Sequence, residues 1–161
     1  MSVKSLIIVE KIKNEIENIE KIVSKVEKGF KYAKENIKDA DFYLDSVAFN
    51  LHGFYSGIEE IFEIIASGID GELPSGNRWH KDLLDQMSIE ITKIRPVVIS
   101  SNTKKLLIEF LAFRHLIRDI YTFEIKPEKL GKLVEMLPQA FENFKKDVNE
   151  FLIFLEKIAM V

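Results

Sequence analysis

Apolar residues recur every three or four positions along most of the chain, and this spacing predicts long amphipathic helices. Residues 3–37 form one such pattern, with isoleucines and valines set among lysines and glutamates. Residues 42–69 form a second, whose wide apolar stripe contains Gly53 and Gly57. A glycine inside a helix costs about 1 kcal/mol relative to alanine. We therefore expect the two glycines where this helix packs closely on another helix, or where its backbone approaches a site or a partner.

The one clear loop covers residues 69–78, where Asp-Gly and Pro-Ser-Gly sequences are typical of turns. A short helix is predicted to begin at Trp79. Pro96 ends the segment that follows, because the residue before a proline avoids the helical conformation. The β-branched residues 97–99 are too few to predict a strand.

Two more helices are predicted, over residues 102–121 and 127–159. Capping oxygens at residues 100–102 precede the first, and Pro127 is well placed as the first residue of the second. Pro138 is expected to divide or kink that last helix. The predicted core face of the 102–121 helix consists of Leu106, Phe110, Phe113, Ile117 and Ile120.

These patterns predict an all-α fold, an antiparallel helical bundle of four main helices plus a short helix. The length of 161 residues favours a single domain spanning 1–161. Short connections make sequential helices antiparallel neighbours.

Composition narrows the function only a little. The net charge of −3 gives no global electrostatic argument for nucleic acid, so any RNA binding needs a local basic patch. The absence of cysteine excludes disulfides and zinc–thiolate sites, and a reducing cytoplasm is the simplest location. The apolar run near the N-terminus is too short for a signal peptide or a membrane span, so we expect no membrane association.

An unusual polar stretch lies near the end of the helix predicted over residues 102–121. Its polar side chains are Arg114, His115, Arg118, Asp119 and Tyr121. Helical geometry places Arg114, Arg118 and Tyr121 in one stripe, which continues upstream through the apolar Leu107 and Leu111. His115 and Asp119, four positions apart, form a second polar pair beside this stripe. Such a row suggests a buried or partner-facing surface, for example a dimer seam, that opens onto a polar pocket.

No metal or cofactor site is expected. The three histidines, His52, His80 and His115, lie in different segments without metal-binding spacing, and no glycine-rich phosphate loop or activated nucleophile is present.

Two interpretations of the polar stretch remain open. In the first, its arginines pair with Glu59, Glu63 or Asp119 in a purely structural network. In the second, arginine binds a phosphate and histidine transfers protons, so that the set cleaves RNA without a metal through the 2′-hydroxyl. Two interpretations are also open for Trp79 and His80. They could form a structural lid over the core, or the wall of a functional pocket.

The stretch Arg114–Tyr121 resembles the R-x(4–6)-H-x-Y motif of HEPN domains, and specifically of HepT-like ribonuclease toxins. Similar pieces of one HepT-like branch are present at residues 55–62, 69–76 and 79–84. The resemblance covers about residues 45 to 130 well. Within it, Tyr55, Glu59, Trp79 and His80 are candidate pocket-wall residues.

This resemblance implies a helical homodimer with the motif helices near the two-fold axis. It also implies a metal-independent endoribonuclease whose partner is a minimal nucleotidyltransferase antitoxin. In related pairs that antitoxin adenylylates the motif tyrosine, which here is Tyr121. Arg114 is then the motif arginine, and His115 the polar residue that follows it.

One position departs from the motif, because Asp119 stands where the histidine is expected. An aspartate is a poor proton donor near pH 7 unless its pKa is raised. Three alternatives follow: His115 takes the role, Arg118 supplies a second charge, or the domain is catalytically weak. The working hypothesis is that Arg114 and Arg118 bind the scissile phosphate, His115 transfers protons and Asp119 orients or replaces it. The alternative function is a non-catalytic interaction module that binds a nucleotidyltransferase.

Overall fold

The computed structural model describes residues 2–161. Within them the chain is 82% helical, with five α-helices and no strand, which confirms the predicted all-α fold class. The helices are α1 (Val3–Glu35), α2 (Ala40–Ile65), α3 (Trp79–Met87), α4 (Ser101–Asp119) and α5 (Pro127–Ala159). None of the helices in these 160 residues has the length and apolar character needed to cross a bilayer.

Helices α1 and α2 are antiparallel and pack closely along their length. Gly29, near the end of α1, lies against Val47 in the first half of α2, and Gly57 further along α2 lies against Ile19. Gly57 therefore marks a close helix–helix contact, as one of the two interpretations of the glycines predicted.

Helix α5 returns along α1, since the backbone N–H of Ser2 donates to the carbonyl of Ala159 over 2.9 Å. Pro138 lies inside α5 without dividing it, so the first of the two predicted effects, a division of the helix, was wrong. The core between the helices is rich in aromatic rings. Phe54 on α2 meets Phe110 on α4 at 5.0 Å and Phe141 on α5 at 6.5 Å between ring centroids.

Helix α2 ends in a single π-helical turn, Ala66–Asp70, and Gly71 closes it with a φ of +74°. This conformation favours glycine because a Cβ atom crowds the backbone there. The carboxylate of Asp70 is buried and accepts two bonds from Arg95, at 2.6 Å from Nε and 2.8 Å from Nη2. Arg95 also donates to the carbonyls of Ile89, Pro96 and Gln86. This ion pair ties the segment after α3 to the end of α2.

Helix α4 differs from its predicted form in two respects. Leu107 and Leu111 are fully or nearly fully buried within the chain, whereas the predicted core residues Leu106, Ile117 and Ile120 are half-buried. Because α4 packs against α2, α3 and α5, its apolar face is wider than one stripe. The two leucines are therefore core residues, which confirms the buried alternative for this row and contradicts a dimer seam formed by them.

The helix also ends at Asp119, two residues earlier than predicted. Ile120 and Tyr121 have extended backbones, with ψ values of 164° and 146°. Tyr121 therefore does not continue the stripe of Arg114 and Arg118. At the other end, Ser100 caps the helix as expected, since its hydroxyl accepts the N–H of Thr103 at 3.2 Å.

The two glycines of α2 offer a matched pair of substitutions. A Cβ atom at Gly57 would lie 2.7 Å from Cγ1 of the buried Ile19, so Gly57→Ala should destabilise the protein by about 1–3 kcal/mol. A Cβ atom at Gly53 would lie an ordinary 3.6 Å from Ile22, so Gly53→Ala should be neutral or stabilising by about 0.5–1 kcal/mol. Urea denaturation of both variants measures the difference. Equal effects of the two substitutions would contradict the close contact.

Candidate functional site

Three helices bring together a carboxylate, an imidazole and a guanidinium. Glu59 on α2 is only 4% exposed. Its Oε2 accepts a hydrogen bond from Nδ1 of His80 on α3 at 2.8 Å, and its Oε1 lies 3.7 Å from Nη2 of Arg114 on α4. A buried carboxylate is stable only when it is hydrogen-bonded and paired with positive charge. Glu59 therefore fixes the positions of two side chains that come from different helices.

The imidazole of His80 is enclosed on both faces. Nη1 of Arg114 lies 3.1 Å from both ring nitrogens, and equal distances place the guanidinium over the ring face, because an in-plane position would clash with Cε1. The indole of Trp79 lies 3.7 Å from the ring, tilted by 32°. Trp79 and Arg114 thus sandwich His80, and the side chain of Arg114 remains 22% exposed.

His115 stands beside this cluster, next to Arg114 on α4. Its ring lies 5.6 Å from that of His80 and is nearly perpendicular to it, at 78°. Burial, followed by the charges of Arg118, His80 and Arg114, lowers the pKa of His115, while Glu59 opposes this change. His115 is therefore a neutral imidazole near neutral pH.

The flank of α2 adds further polar groups to the cluster. Burial raises the pKa of Tyr55 far above its usual range, and its hydroxyl has no hydrogen-bond partner. Burial, followed by the charge of Arg114, lowers the pKa of His52. Burial, followed by Glu60 and Glu59, raises the pKa of Glu63.

Sequence reasoning did not include His52 among the site residues, and Glu63 entered only as a possible arginine partner. Their spacing from Glu59, seven residues before and four after, places all three on one flank of a helix. This helical spacing was the sequence signal that could have identified His52 and Glu63 as neighbours of Glu59.

The remaining predicted residues lie at the end of α4, outside the buried cluster. Asp119 is exposed and pairs with its neighbour Arg118 at 3.4 Å, not with His115 as the four-residue spacing had suggested. Tyr121 is 70% exposed, and its ring stacks on that of Phe123 at 5.3 Å with only 5° between the planes. A shallow hollow of about 260 Å³ lies between Arg118 and Glu124.

The structure therefore divides the predicted residues into two groups. Tyr55, Glu59, Trp79 and His80 meet Arg114 and His115, whereas Arg118, Asp119 and Tyr121 lie at the rim. Among residues 2–161, no group of three or more His, Asp or Glu side chains is placed to hold a metal ion.

A model of the HepT-like protein family matches residues 46–155, which include the whole cluster and the helices α3 and α4 that carry His80 and His115. The chain belongs to the HepT-like family. No match is found among curated proteins or among solved structures. The family assignment confirms the resemblance to the HepT-like family seen in the sequence. Because α1 lies outside the matched residues, the family pattern is carried by α2 to α5.

Proposed function

We propose that this HepT-like protein is a metal-independent endoribonuclease whose reaction centre is formed by Arg114 and His115. The observation that carries the proposal is the guanidinium of Arg114, which a buried carboxylate holds in place next to His115 on the same helix. The lowered pKa of His115 favours its neutral form. A neutral histidine accepts a proton, and a fixed arginine stabilises the negative charge that develops on a phosphate.

The phosphate-binding groups are two arginines of different exposure. Arg114 is held by Glu59 and its side chain is 22% exposed, whereas the side chain of Arg118, one turn later, is largely exposed. Arginine binds phosphate oxygens through two parallel N–H donors. Arg118 first attracts the RNA backbone, and Arg114 then stabilises the transition state next to His115.

The reaction is a transesterification without external cofactors. His115 removes the proton of the ribose 2′-hydroxyl, and the 2′-oxygen attacks the adjacent phosphorus while the bond to the 5′-oxygen breaks. The imidazolium then returns the proton to the leaving 5′-oxygen. The products are a 2′,3′-cyclic phosphate and a 5′-hydroxyl. Asp119 in this scheme only pairs with Arg118 and moderates its charge.

We also propose the partners that the HepT-like family implies, namely a second copy of the chain and a minimal nucleotidyltransferase. The exposure of Leu116 on α4 supports a homodimer through this helix, in place of the buried leucines. The exposed hydroxyl of Tyr121 supports its modification by the nucleotidyltransferase, which would place a bulky nucleotide beside Arg118.

A second candidate function is a non-catalytic module that binds a nucleotidyltransferase. The stacked and exposed rings of Tyr121 and Phe123 favour it, because exposed aromatic residues are enriched in protein interfaces. Stable co-purification with a nucleotidyltransferase, combined with no cleavage of any RNA, would support this function over the first.

Cleavage of RNA in the presence of a chelator tests the catalytic proposal. His115→Gln should lower kcat/KM by about 100- to 10,000-fold, the usual contribution of general acid–base catalysis. Lys105→Ala, an exposed change on the same helix, should have little effect. Equal rates for the wild type and His115→Gln would exclude the proposed role of this histidine.

The pH dependence provides an independent check. The neutral form of His115 is the active one, and its pKa lies below the ordinary value of 6.5. Activity should therefore persist below pH 6.5 and decline only as the pH falls through the lowered pKa. Arg118→Ala removes a positive charge beside His115, so the acidic limb of the kcat/KM profile should move to higher pH.

A further inference from the structure

Glu59 links α3 and α4, which carry His80 and His115, to α2. Its carboxylate bonds to His80 of α3 at 2.8 Å and lies 3.7 Å from Arg114 of α4, with almost no exposure to water. The HepT-like motif on α4 includes neither Glu59 nor His80. Glu59 and His80 nevertheless contact Arg114 directly, so their positions affect the position of its guanidinium.

His80 itself is not placed to touch an RNA substrate. It is buried, its two ring faces are covered by Trp79 and Arg114, and its Nδ1 is bonded to Glu59. Any effect of His80 on the reaction must therefore pass through the groups that it contacts. These groups are the guanidinium over its face and, across a 5.6 Å ring separation, His115.

We propose that Glu59 and His80 are a positioning pair for Arg114 and His115. Glu59 holds the His80 imidazole through Nδ1–H, and the face of that imidazole supports the Arg114 guanidinium beside His115. An arginine side chain has four rotatable bonds, so a fixed support reduces the reorganisation required when charge develops on the phosphate. The expected effect on kcat rests on the proposed ribonuclease function, whereas the expected effect on the pKa of His115 does not.

The charges that face His115 come from all three helices of the cluster. Arg114 and Arg118 of α4 and His80 of α3 disfavour its protonation, and Glu59 of α2 favours it. Removing the Glu59 charge should therefore lower the pKa of His115 further, and removing His80 should raise it. A general loosening of the fold would move both variants in the same direction, towards the value of an exposed histidine.

The first experiment is an NMR titration of the His115 imidazole in full-length protein, with the signal assigned from His115→Gln. Glu59→Gln should shift the midpoint to lower pH, and His80→Gln should shift it to higher pH. Glu60→Gln makes the same charge change at the adjacent, exposed position and should leave the midpoint unchanged. Midpoints in Glu59→Gln and His80→Gln that match Glu60→Gln would overturn the positioning pair. If Glu59→Gln does not fold, His80→Gln alone decides the outcome.

The second experiment measures kcat and KM for RNA cleavage in the same variants. Glu59→Gln and His80→Gln should each lower kcat on the order of 10- to 100-fold, as removal of orienting partners does at other sites, with little change in KM. Glu60→Gln should retain full activity. An inactive wild type with the expected shifts of the His115 midpoint would reject the ribonuclease function and support the positioning pair. An active wild type whose two variants keep both kcat and midpoint would reject the pair and leave the ribonuclease function in place.

Discussion

Replacement of Arg114 by alanine should lower kcat/KM for RNA cleavage by about 100- to 1000-fold, the usual cost of losing one preorganised donor to a developing oxyanion. The guanidinium is held over His80 and near Glu59, so it is in position before the substrate binds. Water in the space left by the substitution would have to reorganise as the charge develops. Cleavage of a defined RNA at saturating and limiting concentrations measures the loss in kcat and KM separately.

Two controls separate catalysis from folding in this experiment. Arg114→Ala also leaves the buried Glu59 with one positive neighbour fewer, so thermal unfolding should accompany the kinetics. Arg114→Lys retains the positive charge but loses the planar pair of donors, and it should recover stability more fully than activity. If Arg114→Ala folds and cleaves RNA as fast as the exposed control Lys105→Ala, Arg114 is not the phosphate-stabilising group.

Replacement of Arg95 by leucine should reduce the free energy of unfolding by about 3–5 kcal/mol, because it leaves the Asp70 carboxylate buried without its partner. Arg95 is only 3% exposed and makes five hydrogen bonds, two of them to Asp70. Urea denaturation followed by circular dichroism measures the loss.

The loss should be smaller in the double variant Asp70→Asn/Arg95→Leu, because the buried charge is then absent. A matched surface pair provides the comparison. Lys81 and Asp85 form a partly exposed ion pair at 2.6 Å, and Lys81→Ala should cost less than about 1 kcal/mol. A loss at Arg95 as small as that at Lys81 would show that the buried pair does not stabilise the fold.

The helices could be predicted from the sequence because each buries a face with a regular period. The predicted bounds of α3 and α5 agree closely with the structure, and those of α1 and α2 differ by a few residues. The end of α4 was misplaced because Ile120 is neither glycine nor proline, so no local signal marked the change to an extended backbone. Tyr121 was consequently assigned to a helical stripe that it does not share.

The separate members of the site could be predicted, and one of the two interpretations included the pairing of arginines with Glu59 and Asp119. The position of His80 between Glu59 and Arg114 was not predicted. Glu59, His80 and Arg114 were each candidates, yet their convergence depends on how α3 is placed after the loop that precedes it. Local periodicity contains no information on that placement. The burial of Leu107 and Leu111 was missed for a related reason, since a helix with three packing partners has no single apolar stripe. The pairing of Asp70 with Arg95, 25 residues apart, likewise could not be predicted from the local sequence pattern.

The Asp70–Arg95 pair has a consequence for how the family could tolerate variation in length. Asp70 also accepts a bond from Gln86 at 2.8 Å, so the end of α2 is joined directly to the far end of α3. The loop at residues 71–78 therefore does not by itself determine where His80 lies relative to Glu59. We therefore expect insertions or deletions in that loop to preserve the register between the two helices, and with it the site.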